Sequence, residues 1–204
     1  RLEVLFGDNI DKIQNKTILI IGLGGVGSYT LETLVRTGIN KFIIVDGDSV
    51  DISNLNRQLL CNINNIGNSK VKEAYLRALS INPDICVKVH EMFLNEANID
   101  ELEYYKYDYI IDCRDTMTTK LLLVKKALQY NIKIISCMGT GNRVDCSKLE
   151  ITNIWKTDYD PVAKAMRKLL RDNEIKYSEN FIGSLIKPFP CSHNKSKNIH
   201  TRGS

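Results

Sequence analysis

Residues 17–46 read TILIIGLGGVGSYTLETLVRTGINKFIIVD. A β-branched apolar run (17–22) leads into Gly22, Gly24 and Gly27 at G-x-G-x-x-G spacing, with Gly25 added. A helical pattern follows from about Val26 to Arg36, and then a second apolar run, 41–46. A strand, a tight turn and a helix in that order leave the unpaired N–H groups of the helix start facing the turn. A phosphate sits there, and glycine lets the backbone approach it. Asp46 closes the second run at the distance where a carboxylate accepts ribose hydroxyls in such folds. These features specify an adenosine-containing nucleotide and leave open a glycine turn that only packs helix on strand.

The alternation continues outward. A helix is expected from Ser69 to about Ile81, strands over CVKVHE (86–91) and YDYIID (107–112), a helix from about Thr116 to Tyr130, and a strand over IKIISC (132–137). Short strands alternating with helices predict an α/β fold: doubly wound, with a mostly parallel, Rossmann-like sheet. From LEITNIWKT (149–157) the pattern becomes an antiparallel strand, then a helix starting near Asp160-Pro161, where the missing proline N–H costs nothing. The expected organisation is one domain over 1–177, with a C-terminal strand-helix extension from about residue 149. Lys, Asn, Ser and Pro enrichment predicts a mobile loop over 178–204. With no initiator Met and an abrupt end at HTRGS, neither end is expected to be native, and the C-terminal side is expected to be truncated.

The 204 residues are 43% hydrophobic and 25% charged, enough for one core and unlike a disordered chain. A net charge of +4 is too mild to hold nucleic acid without a local basic patch. Six cysteines (Cys61, Cys86, Cys113, Cys137, Cys146, Cys191) include no Cys-x-x-Cys pair, so no zinc is expected. The charged first twenty residues exclude a signal-peptide run, and no stretch is apolar for long enough to span a membrane. A reducing cytoplasm is the expected location.

The crossover after the second strand separates nucleotide classes. It carries Asp48, Asn54, Asn56, Arg57 and Gln58, followed by Lys70 at the next helix start. Arg57 and Lys70 together neutralise β- and γ-phosphates, a task NAD does not set. Asp112 and Asp115, in IIDCRDT, form a carboxylate pair at the carboxyl end of a strand, where open α/β sheets collect ligands. Asp115 fits Mg2+, which wants one or two carboxylate oxygens beside phosphate oxygens. The plainer alternatives are an N-cap role for Asp115 and solvated surface charge for Arg57 and Lys70.

GLGGVGS (22–28), VDGDSVDISNLNRQ (45–58), GNSKVKEA (67–74) and DCRDT (112–116) together resemble the ubiquitin-activating-type (ThiF/MoeB) adenylyltransferases, a superfamily that includes thiamine and molybdopterin biosynthesis enzymes. The resemblance implies attack of a carboxylate on ATP, with an acyl adenylate and pyrophosphate formed. It assigns the glycines to the α-phosphate, Asp46 to the ribose, and Asn54, Arg57, Gln58 and Lys70 to the phosphates and reacting centre. Asp115 is assigned to Mg2+. Arg1, in RLEVLFG, matches an arginine that reaches into the partner subunit's site, which implies a homodimer.

The stretch 136–172, SCMGTGNRVDCSKLEITNIWKTDYDPVAKAMRKLLRD, is similar to the tRNA threonylcarbamoyladenosine dehydratase branch, and the match runs over about 1–177. Asp160 stands where some relatives have Cys. That branch adenylates the threonine carboxylate of the modified adenosine, and the ureido group of the same nucleoside displaces AMP. Because nucleophile and electrophile are tethered, no catalytic cysteine is required. The implied partners are tRNA carrying the modification and a sulfurtransferase-type protein.

Lys164, Arg167, Lys168 and Arg171 fall at i, i+3, i+4 and i+7, one face of a helix whose other face carries Val162, Met166, Leu169 and Leu170. Such a stripe suits RNA phosphates, or is an ordinary solvated face. Trp155, Tyr159 and Tyr177 are candidate base-stacking residues and equally good core residues. The rival functions are a sulfur-carrier adenylyltransferase without its zinc, an NAD dehydrogenase that leaves Arg57 and Lys70 idle, and a silent nucleotide-binding scaffold.

Overall fold

The computed structural model of the chain describes residues 2–139, 145, 147 and 149–176, and the backbone of 181–186. Seven strands appear among the described residues: β1 Thr17–Ile21, β2 Lys41–Val45, β3 Cys86–His90, β4 Tyr109–Asp112, β5 Lys133–Cys137, β6 Leu149–Asn153 and β7 Phe181–Ile186. They form one sheet in the order β3-β2-β1-β4-β5-β7-β6. All neighbouring pairs are parallel except β6–β7. The helices are α1 Leu2–Phe6, α2 Ile10–Gln14, α3 Gly27–Arg36, α4 Lys70–Ile81, α5 Met117–Gln129 and α6 Pro161–Asp172.

Strand alternation sends successive side chains to opposite faces, so near-continuous apolar runs are buried on both. On one face Ile18, Ile20, Phe42 and Ile44 pack with Leu31 and Val35 of α3 and Val71, Ala74 and Ala78 of α4. On the other, Leu19, Ile21, Ile43, Ile110 and Ile134 pack with Leu123, Val124 and Ala127 of α5 and Ala163, Met166 and Leu170 of α6. The doubly wound expectation therefore holds. The order reverses at β1, whose neighbours are β2 and β4, and the carboxyl ends of β1 and β4 flank the crevice where such sheets bind ligands.

The loop expected from residue 178 is interrupted. Phe181–Ile186 pairs with β5 in parallel and with β6 antiparallel, so β6 reaches the sheet only through a strand later in the chain. FIGSLI has the apolar, β-branched character of a short strand, and the polar residues around it hid that signal. The rest of 178–204 lies outside the described residues.

Candidate functional site

The turn after β1 is built by close backbone approach. Gly22 has φ +88°, and a Cβ there would meet Arg114 Cδ at 2.9 Å. At Gly27, the first residue of α3, a Cβ would stand 1.8 Å from the Gly22 carbonyl oxygen. Gly27 thus closes the turn and does not line the cavity above it. At Gly25 the neighbour is Arg57, whose carbonyl oxygen would stand 3.3 Å and Cγ 3.5 Å from an added Cβ, so this extra glycine admits the crossover loop. Gly24 is open, with only Gln58 Nε2 nearby at 3.7 Å. Asp46 is buried; its Oδ2 accepts from Leu23 N at 2.6 Å and its Oδ1 from Asp48 N at 2.9 Å. It therefore pins the glycine turn to the end of β2, and each oxygen keeps a lone pair.

The crossover is held by side-chain amides. Asp51 accepts from Ser53 N at 2.8 Å, and Asn54 Oδ1 accepts from Asp51 N at 3.1 Å, a capping box that leaves Asn54 buried. A second box joins Asn62 and Asn65. Each is worth about 1 kcal/mol to its short helical turn. Ser28 then ties the crossover to the glycine turn. Its Oγ donates to Gly24 O at 2.6 Å and accepts from Leu59 N at 3.2 Å. Arg57 is exposed, donating to Ser53 O and to Asn56 Oδ1. Asn56 is exposed and holds Arg57, and it is not among the residues that line the cavity. Lys70 is buried, with Nζ 3.2 Å from Asp48 Oδ2.

At the end of β4 the expected carboxylate pair divides. Asp115 is exposed, and the N-cap of α5 is Thr116, so the capping alternative does not apply to Asp115. Asp112 faces the other way. It shares the parity of Ile110, which lies under α5, and its Oδ2 is 2.9 Å from Lys120 Nζ in a fully buried ion pair. Removing one partner of such a pair costs about 3–5 kcal/mol.

A cavity of about 610 Å³ opens at the β1–β4 crevice. Of the residues expected there, Gly22, Gly24, Gly25, Asp46, Asp48, Asn54, Arg57, Gln58, Lys70 and Asp115 line it. Arg1 lies outside the described residues, as do Tyr177, Cys146 and Cys191. Arg114, Cys113, Cys137 and Met138 complete the lining, with Val26 beside the glycines. Arg114 was legible only as a letter in DCRDT; its guanidinium sits 3.8 Å from Asp46 and 3.9 Å from Asp48. Lys120 did leave a signal, a cation on the apolar stripe of Leu123, Val124 and Ala127. Burial pushes the Cys113 thiol up to about 12, with the Asp112 carboxylate adding to the shift, so Cys113 is no thiolate nucleophile at neutral pH. Among the described residues no group of three or more His, Cys, Asp or Glu could hold a metal ion.

The basic helix starts beside the cavity. Asp160 caps α6, accepting from Val162 N at 2.7 Å and Ala163 N at 3.0 Å, and also accepts from Gly139 N at 2.9 Å, next to Met138. Lys164, Lys168 and Arg171 are exposed. Arg167 is half-buried and donates to Thr157 Oγ1, and the Arg171 guanidinium lies 6.0 Å from the Trp155 ring centroid. Two of the four cations thus already have protein partners. No described helix is long and apolar enough to cross a membrane.

The chain is 36% identical over 200 residues to a tRNA threonylcarbamoyladenosine dehydratase of Bacillus subtilis (strain 168), covering 98% of this chain and 79% of the relative. A crystal structure of E. coli tRNA N6-threonylcarbamoyladenosine dehydratase, TcdA, in complex with ATP superimposes with a TM-score of 0.86 at 27% identity, covering 92% of this chain and 79% of that one. The same enzyme in complex with AMP gives the same figures. The adenylyltransferase and sulfurtransferase UBA4 of Vanderwaltozyma polyspora is 36% identical over 142 residues, but these span only 32% of its length. The ThiF family model matches residues 1–176, the stretch that carries the glycine turn, the crossover and α6, and the chain belongs to the ThiF family.

Proposed function

We propose that the chain is an ATP-dependent tRNA threonylcarbamoyladenosine dehydratase. The observation that carries this reading is that Gly22, Gly24, Arg57, Lys70 and Asp115 line one cavity at the switch point of the sheet, in a chain this similar to a named dehydratase. The substrate's threonine carboxylate attacks the α-phosphorus of ATP and pyrophosphate leaves. The ureido group of the same nucleoside then attacks the activated carbonyl, AMP departs, and a five-membered ring closes. Tethering supplies the proximity that an enzyme thioester would otherwise supply.

Each residue has a distinct task. Backbone N–H groups of the glycine turn, at Gly24, Gly25 and Val26 ahead of α3, hold the α-phosphate. The free lone pairs of Asp46 accept ribose hydroxyls, while Asn54 and Gln58 supply the polar wall. Arg57 and Lys70 draw the negative charge of the leaving pyrophosphate, and Asp48 orients Lys70. Three carboxylates and three cations line the cavity, so its own charges cancel. A triphosphate entering a neutral site calls for a divalent cation. Asp115, exposed and without a capping task, is the carboxylate to hold Mg2+, whose other ligands would be phosphate oxygens and water. Mg2+ bound there would neutralise charge developing on the phosphates.

The exposed Lys164, Lys168 and Arg171, with Arg167 behind them, form the proposed tRNA contact, leading from the cavity rim along α6. A homodimer with Arg1 completing the partner's site, a sulfurtransferase-type protein partner and a cytoplasmic location are proposed on the family resemblance. The test is to incubate the chain with ATP, Mg2+ and tRNA carrying the threonylcarbamoyl group and to weigh the digested nucleoside. Loss of one water with stoichiometric AMP is expected. AMP formed only when a small carrier protein ending in Gly-Gly is supplied would refute the reading in favour of a sulfur-carrier adenylyltransferase.

A further inference from the structure

The ion pair beneath the cavity does more than fill space. Asp112, at the end of β4, and Lys120, in the first turns of α5, are 2.9 Å apart with side chains 0% and 1% exposed. Lys120 Nζ also donates to Ser136 Oγ at 3.2 Å and to the Cys137 carbonyl at 2.7 Å. Ser136 Oγ donates to Asp112 Oδ2 at 2.5 Å, and Asp112 Oδ1 accepts from Arg114 N at 3.1 Å. The ammonium therefore has three acceptors and both carboxylate oxygens are engaged.

Burying two charges among Ile110, Ile134, Leu123 and Val124 carries a desolvation penalty that an apolar pair of similar volume avoids, so stability alone does not call for this arrangement. What an apolar pair cannot do is hold main-chain groups. Here one pair holds the amide of Arg114 and the carbonyl of Cys137, which belong to two different segments of the cavity lining: Cys113, Arg114 and Asp115 after β4, and Cys137 and Met138 at the end of β5.

We infer that Asp112, Lys120 and Ser136 are positioning residues for the adenylation step: they set the spacing of the two segments and with it the placement of Asp115 relative to the bound nucleotide. The inference rests on the proposed adenylation. It differs from a structural role in what it predicts for chemistry as against binding. Misplacing a reacting group by about 1 Å costs about 10²-fold in rate, whereas Arg57 and Lys70, the proposed phosphate contacts, stand on the crossover and at the start of α4, away from both segments.

The test uses the full chain and the double variant Asp112→Asn/Lys120→Met, which removes both charges at near-constant volume. The folded variant is expected to melt close to the wild type and to bind ATP within about threefold, while kcat for AMP formation on modified tRNA falls about 10²-fold with little change in KM. A folded double variant whose kcat stays within about threefold of wild type overturns the inference. Should that variant fail to fold, Ser136→Ala keeps the ion pair and removes one acceptor from Lys120 and one donor to Asp112. Its kcat is expected to fall about tenfold at unchanged KM for ATP, and an unchanged kcat overturns the inference equally. If the wild type itself forms no AMP on modified tRNA, the adenylation reading falls and the positioning role falls with it.

Discussion

Asp115 and Asp112 stand three positions apart and have opposite surroundings, one exposed at the cavity and one sealed under α5. Asp115→Ala is therefore expected to leave ATP affinity within a few-fold while AMP release drops by about 10²-fold or more, read by nucleotide titration beside a turnover assay. Equal loss of both would show that Asp115 only binds. Glycines diverge in the same way. Gly27→Ala drives a Cβ into the Gly22 carbonyl and is expected to cost about 3 kcal/mol in urea unfolding and to abolish nucleotide binding. Gly67→Ala, with φ +88° and nothing within 4 Å, meets only backbone strain, about 1 kcal/mol.

Between elements, α3 and α4 are clamped by one acid. Glu32 accepts from Arg77 Nε at 2.7 Å and NH2 at 2.8 Å, and from Arg36 Nε at 2.8 Å. The Arg77 hydrogen bond, with help from Arg36, holds the Glu32 carboxyl below its ordinary 4.5. With the folded value depressed, the contribution is complete above 4.5 and is lost as pH falls through the lower folded value. Arg77 is half-exposed, so Glu32→Gln should cost only about 1 kcal/mol at neutral pH. Urea unfolding across pH should show the wild type and variant converging below pH 4.5; a constant gap would assign the effect to packing.

For the whole molecule, two surfaces should respond differently to salt. The proposed contact of tRNA along α6 would release counterions, so its affinity should fall steeply with KCl, with about 0.7–0.9 of log-log slope per phosphate contact. Lys164→Glu/Lys168→Glu, both exposed, should flatten that slope and weaken tRNA binding about tenfold at low salt, measured by filter binding. Affinity for ATP, proposed to bind in the cavity at the carboxyl edge of the sheet, should not change. An unaltered slope would move the tRNA surface elsewhere.

What was legible in the chain was periodic and local. Alternation of apolar runs with helical stripes specified the parallel sheet, and Gly22, Gly24, Asp46, Arg57 and Lys70, which line one cavity, were legible as a group because both patterns are written within a few residues of one another. The helix starting at Asp160-Pro161 was legible for the same reason: a capping carboxylate and a proline in the first turn act on their nearest neighbours. Tertiary structure alone decided the remainder. Whether Asp112 or Asp115 faces the cavity depends on where α5 lies over β4, and the close approach of Arg57 to Gly25 depends on how the crossover folds back on the turn. Lys120 gains its meaning from Asp112, Ser136 and Cys137, three groups on two strands. A strand such as β7 exists because β5 and β6 leave hydrogen-bonding edges open to it. Contacts between segments distant in the chain depend on the packing of several elements at once, which no single stretch of sequence encodes.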